Sequence, residues 1–421
     1  MSLSEKGWGI RARVEKKNPE WYDIYLEKSE YRSAEVENSK ISREEISQEF
    51  GYGLRVLSNG RIGFSYGTSL DEVDATIDRA FSTARHRKVL KHFAHPPSIK
   101  IAYSRLDEDE GDLAEILLEE LDKRTEENEI HLNGSLGWGR VEKAIINPGS
   151  EANESAPIYN FSMSATIAQG RGFDMYSCKK SAKLKKWIPE VTERAIEIAR
   201  SMSGKKEKEV GKKELLIHPY ALAQILEYGL MPSIVGDRCH RGESKLRKGL
   251  MIREGLAIRD ADEGLADWKV DDEACPSTKA DIIDGEIKEF LYDLKSSWEW
   301  GEKSTGNGVR EDFRDEPSIA PRNLYLDLDE KGDVMEDGIY IYDVLGAHTI
   351  NMETMDFSLG SSICWTIEKG ELKPLRPVIL SGNVLEMLKN SIRVSKERKE
   401  IGGLGGSIVL PHLRTGGVRI G

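Results

Sequence analysis

The sequence predicts an α+β protein: an N-terminal α/β region of antiparallel strands and long helices, then a β-rich, mixed C-terminal region. Three observations carry this. The first half changes period, from alternating apolar residues near 21–64 to helical stripes at 70–87 and 181–203. The second half consists mainly of short apolar segments between glycines and acidic turns, and many of the 39 glycines lie beyond residue 229. With 38% hydrophobic and 32% charged residues, the 421-residue chain can bury a sizeable core.

Tyr22, Ile24 and Leu26 alternate within a half-buried strand over 21–30, and further strands are expected at 34–36, 46–50 and 52–57. Asn59-Gly60 then marks a tight hairpin, because both residues readily take positive φ, and 61–64 forms its second arm. Leu70, Val73, Ile77, Ala80 and Phe81 line a helix that Thr68 or Ser69 can cap. A second helix is expected at 112–124, followed by strands at 139–146 and 159–168. The longest helical stripe, Ile188, Val191, Ala195, Ile198 and Ala199, lies within 181–203. Gly204 and the charged run up to Gly211 read as a connector, so the expected domains are 1–205 and 212–421. Beyond it come a short strand at 214–217, a helix from Pro219 ending at Gly229, and short strands up to a last helix at 384–389.

Sixty-one basic against 73 acidic residues give a net charge of -12, which repels nucleic acid and anionic membrane surfaces alike. The lysines at 179–186 and 205–213 read as solvated helix face and linker, with anion contact as the alternative. The first fifteen residues hold no signal-peptide core, and no window reaches the roughly 18 apolar residues of a membrane helix. Cys178, Cys239, Cys275 and Cys364 are too scattered for a disulfide framework or zinc knuckle. The expectation is a cytoplasmic protein with no direct nucleic-acid or membrane partner.

Neither HExxH nor a P-loop appears. His92 and His95 precede Pro96-Pro97 without a third ligand nearby, and Cys239-His240 diverge on regular backbone, so neither pair reads as a site. Seven of the fourteen residues 260–273 are acidic, in a spacing unlike a calcium loop; solvated turns are expected. Within this run, Asp271, Asp272 and Glu273 sit between expected strands, where a cation or peptide amine can be received. Ser304, Thr305, Asn307 and Arg310, interleaved with Gly306 and Gly308, can present N–H groups and a guanidinium to a peptide carbonyl or carboxylate. The loop either lines a substrate cleft or stabilises the fold, with Arg310 on a structural carboxylate. His348 is a base only if a carboxylate or hydroxyl meets it in space.

The segment Ser304-Thr-Gly-Asn-Gly-Val-Arg310 resembles a signature of the TldD/PmbA family, once described as modulators of DNA gyrase. Other stretches resemble the family in the same order: Gly51-Tyr52-Gly53 to Gly63-Phe64-Ser65, Gly236-Asp237 with residues 241–244, 271–273, 346–349, 356–358 and Gly382-Asn383. The resemblance implies, for the TldD branch, a zinc peptidase with an HExxxH helix and a cysteine ligand near the C-terminus. Here Glu227 and Pro232 stand at the two histidine positions, Tyr228 at the catalytic glutamate, and Ile401 at the cysteine. Pro232 and Ile401 offer no ligand atom, so the chain resembles the metal-free PmbA (TldE) branch and no cofactor is expected in it. The implied role is a subunit of a homodimer or heterodimer. It would help a TldD-like zinc peptidase subunit, which carries the zinc, to bind and process unfolded peptides. An independent hydrolase centred on His348, Asp271 or Arg310 and a regulatory or assembly protein are the alternative readings.

Overall fold

A computed structural model describes residues 2–104, 113–124, 129–204, 206–207, 214–403 and 406–421. Its architecture is α+β, with a helix-backed sheet in the N-terminal half and a β-rich mixed sheet in the C-terminal half.

The first sheet contains β1 (Trp21–Glu37), β2 (Lys40–Ser58), β3 (Arg61–Gly67), β4 (Lys100–Ser104), β5 (Ile130–Ile146), β6 (Glu151–Ile167) and β7 (Gly170–Cys178). Their order is β3-β2-β1-β5-β6-β4, with β7 also on β6. All pairs are antiparallel except β4 with β6. The segments expected separately at 46–50 and 52–57 are one strand, because the β1–β2 ladder runs unbroken past Gly51 and Gly53. The β2–β3 hairpin turns at Asn59 and Gly60, with φ of 51° and 68°.

Helices α1 (Leu3–Val14) and α2 (Val73–Ala84) cover one part of this sheet, burying Ile10, Val14, Ile77 and Ala80 with Ile24 and Leu54. Ser69 accepts from the Asp71 N–H in the 3-10 turn leading into α2, a capping role expected from the sequence. Helices α3 (Leu113–Arg124) and α4 (Ser181–Met202) bury Leu117, Ile188 and Ala195 against Leu132 and Phe161. The α4 helix continues through Pro189, held by its buried face. The sequence reading missed α1: its buried residues are only Leu3, Gly7, Ile10 and Val14, too weak a stripe to stand out. A capping box fixes its start, with Ser2 and Glu5 each accepting the other's backbone N–H.

The expected connector lies mostly outside the described residues. Beyond it come β8 (Leu215–Ile217), β9 (Leu256–Asp260), β10 (Ala280–Asp284), β11 (Glu286–Ile287) and a separate pair, β12 (Gly308–Val309) and β13 (Ser318–Ile319). They are followed by β14 (Asn323–Leu328), β15 (Gly338–Leu345), β16 (Asp356–Glu368), β17 (Glu371–Pro374), β18 (Ile379–Asn383), β19 (Ser391–Gly403), β20 (Gly406–Thr415) and β21 (Arg419–Ile420). The large sheet runs β11-β10-β9-β14-β20-β8-β15-β16-β18-β21, with β17 on β16 and β19 on β20. It is mixed, since β14 and β20 are parallel, as are β15 and β8.

Helix α5 (Pro219–Ile225) packs on this sheet through Leu222 and Ile225. Gly229 does not end it. Helical turns continue through a wide turn, Leu226–Leu230, and a tight one, Met231–Ile234. Gly229 is held inside because a Cβ there would come within 2.6 Å of Val384. Short helices at Gly236–His240 and Leu294–Trp300 were not expected, while Val384–Lys389 was.

Candidate substrate cleft

The expected solvated turns at 260–273 are not what the chain forms. Asp262, Glu263 and Asp267 are exposed, but Asp260, Asp271, Asp272 and Glu273 are buried, each among specific donors. Asp260 closes β9 and accepts from the N–H groups of Arg322 and Asn323 at 2.9 Å and from Asn307 Nδ2 at 2.7 Å. One Asp271 oxygen accepts from the backbone of Glu273 and Cys275, the other from Gly308. Burial pushes the Asp271 carboxyl up, against these N–H groups that pull it down.

The acidic triplet meets the first sheet through charge. The β1–β2 register sets Asp23 opposite Arg55. Arg55 Nε donates to both Asp23 oxygens at 3.1 and 3.0 Å, and its Nη1 reaches Glu273 Oε1 at 2.7 Å. The other Glu273 oxygen accepts from the Leu294 N–H at the start of Leu294–Trp300. On β5, Lys143 donates to Asp272 Oδ1 at 2.5 Å and lies 4.0 Å from the Trp268 ring centroid.

The 304–310 loop completes this junction. Arg310 is fully buried: Nη2 lies 3.4 Å from Asp23 Oδ1, Nη1 donates to the Asp315 carbonyl, and the guanidinium lies 5.1 Å from the Tyr25 ring centroid. Its backbone N–H donates to Asp272. Burial lowers the Arg310 pKa, with Asp23 opposing. Asn307 Oδ1 accepts from Thr305 Oγ1 at 2.7 Å. Half-buried Ser304 and Thr305 hold the Tyr292 carbonyl. Gly306 has φ of 72°, and a Cβ there would lie 2.1 Å from the Pro276 carbonyl oxygen. Gly51 leaves room for the Phe313 ring, 2.1 Å from where its Cβ would stand.

Two cavities flank residues 309–311. One, about 470 Å³, lies between the two sheets and is lined by Tyr25, Glu27, Lys143, Trp268, Asp272 and Arg310 among others. The second, about 380 Å³, is lined by Glu227, Tyr228, Pro232, Val235, Met352 and Ile408 among others. Val309, Arg310, Glu311 and Gly406 line both. Of the substrate-cleft candidates singled out in sequence, Asp272 and Arg310 reach a cavity wall; Asp271, Glu273 and Asn307 lie in the network behind it. His348 is exposed on the Ala347–Thr349 turn and lines neither cavity. Asp23, Arg55, Lys143 and Trp268 were missed, although opposite charges inside the apolar runs around residues 23 and 55 were a visible sign.

The degenerate zinc-motif positions lie at or beside the second cavity: Glu227 and Pro232, at the histidine positions, and Tyr228, at the catalytic glutamate position, line it, and Ile401, at the cysteine position, pairs with its lining residue Ile408. Glu227 brings a carboxylate; Tyr228, Pro232 and Ile401 bring neither imidazole nor thiolate, so a zinc site does not fit this donor set. Among the described residues, no group of three or more His, Cys, Asp or Glu can hold a metal ion.

The chain is 28% identical over 385 residues to an uncharacterized protein of Methanocaldococcus jannaschii, covering 88% of this chain and 90% of that one. It is 27% identical over 200 residues to metalloprotease PmbA of Escherichia coli O157:H7, covering 45% and 42%. The fold is that of TldE from Thermococcus kodakarensis, with a TM-score of 0.85 at 20% identity over 98% of this chain and 99% of that one. Residues 22–85 match the model of PmbA/TldA metallopeptidase domain 1, and residues 210–421 that of the PmbA/TldA metallopeptidase C-terminal domain. The chain belongs to the TldD/PmbA metallopeptidase family, as a member without the zinc motif.

Proposed function

We propose that this chain is the metal-free, TldE-like subunit of a cytoplasmic two-chain peptidase, holding unfolded peptide for a TldD-like zinc subunit. The observation that carries this reading is the degenerate motif turn. It walls a cavity of peptide side-chain size yet brings one carboxylate where a zinc site needs three or four donors. The adjoining cavity extends the cleft past residues 309–311, giving an extended peptide room on both sides. The two sheets are read as two domains, 1–205 and 212–421, with the peptide between them. Residues 271–273 and 304–310 act as the braced wall of this cleft, not as catalytic groups, because their carboxylates and the Arg310 Nη atoms are already held by hydrogen bonds and ion pairs; Arg310 Nε alone is buried without a partner among the described residues. An independent hydrolase gains no support from His348, which has no carboxylate or hydroxyl partner among the described residues.

Co-expression with the TldD-like chain of the same genome tests the reading. The two chains are expected to copurify, and the pair to hydrolyse an unfolded peptide at least tenfold faster than either chain alone. Robust hydrolysis by this chain alone, surviving chelator, or a partner chain indifferent to its presence, contradicts it.

A further inference from the structure

Glu227 is unusual among the acidic groups of the cleft. It is half-buried, and its carboxyl is raised by burial alone, with no cation or hydrogen-bond donor opposing the shift. Among the described residues it has no ion-pair or hydrogen-bond partner, in contrast to Asp271, Asp272 and Glu273. An uncompensated carboxylate against apolar surface is a standing cost to the fold, relieved when a cation meets it. The surrounding wall is apolar: Tyr228, Met231, Val235, Ile319, Met352 and Ile408. The other charged residues of that cavity are Glu311, which is exposed, and Arg310, which is buried with Nη1 and Nη2 on the Asp315 carbonyl and Asp23 and with Nε unpartnered and making no hydrogen bond or ion pair to Glu227. The cavity therefore presents two carboxylates and mainly apolar walls, and no cation pairs with Glu227 among the described residues.

We infer that the Glu227 cavity is a subsite for an alkylammonium group, either a lysine side chain or the N-terminal amine of a peptide. The methylene stem would lie on Met231, Val235 and Ile408 while the ammonium ion pairs with Glu227. The position that a zinc-bearing chain gives to a histidine ligand is here given to the charge of the substrate. This inference rests on the cleft assignment above, but it concerns binding by this chain alone.

The test uses the full chain at pH 7, where a peptide α-amine is mostly protonated, and three blocked or unblocked tripeptide amides, titrated by calorimetry: acetyl-Ala-Lys-Ala, acetyl-Ala-norleucine-Ala, and Ala-norleucine-Ala with a free amine. At least one of the two cationic peptides is expected to bind tenfold or more tighter than the neutral acetylated one, and which one does so identifies the source of the ammonium. Glu227→Gln should erase the preference while leaving the melting temperature unchanged or higher, since it removes an unpaired buried charge. Met352→Trp, at a partly exposed position on the rim, should weaken binding of the cationic peptide without touching Glu227. Equal affinity for all three peptides, or a preference that survives Glu227→Gln, overturns the inference. Selective binding together with a pair that fails to turn over peptide leaves the subsite standing and removes the two-chain reading instead.

Discussion

Asp23 and Arg55 face each other across the β1–β2 ladder, and Arg55 spans from there to Glu273 in the other half of the chain. All three are buried, so each charge depends on its partners for the stabilisation that water would otherwise give. Arg55→Met leaves Glu273 without its cation and Asp23 with only the 3.4 Å contact from Arg310, and is expected to lower stability by roughly 3–5 kcal/mol, read by urea unfolding. A loss below about 1 kcal/mol would mean that Arg310 and the backbone N–H groups alone satisfy this junction. His412 gives a pH-dependent counterpart. Burial, then the Lys399 charge, lowers its pKa to about 4, and its Nε2 lies 3.1 Å from the Tyr340 hydroxyl. The folded state resists a proton that the unfolded chain accepts near pH 6.5, so this contribution is lost as pH falls from about 6.5 to 4. His412→Gln should flatten that limb of a melting-temperature profile relative to the wild type; an unchanged slope would show that His412 does not contribute. Little of this was legible in the sequence. Asp272 is 129 residues from Lys143, and Asp23 is 287 from Arg310, so the partners that bury these charges come from distant strands.

At the scale of elements, local period and turn chemistry were readable, and tertiary contact was not. The Asn59-Gly60 hairpin, the Ser69 cap and the 181–203 stripe each depend on neighbours within a few residues, and each forms. Gly229 looked like a helix end because glycine usually disfavours helix interiors, yet close packing on Val384 retains it. The 304–310 loop was legible as a polar glycine turn, while its burial followed from segments remote in sequence. Gly306 ties that loop to residue 276. Gly306→Ala combines a left-handed backbone with a Cβ 2.1 Å from a carbonyl oxygen, and is expected to cost roughly 2–3 kcal/mol, seen in urea unfolding. Wild-type stability in that variant would show that the loop shifts freely, and it would no longer serve as a fixed cleft wall.

Across the whole molecule, the α+β class followed from where helical and alternating periods occur, but the strand order of the large sheet did not. Its parallel pairs join β14 to β20 and β8 to β15, contacts that no local pattern encodes. The family was legible from ordered short motifs, the missing zinc ligands from three positions, Glu227, Pro232 and Ile401, and the missing catalytic glutamate from Tyr228. Those positions carry the central claim, that this subunit contributes shape and charge to a peptidase without contributing its metal. Elemental analysis of the purified chain, after exposure to excess zinc and gel filtration, tests it most directly. The expected zinc content is far below one per chain; one tightly held zinc per chain, lost in Glu227→Ala, would contradict the claim.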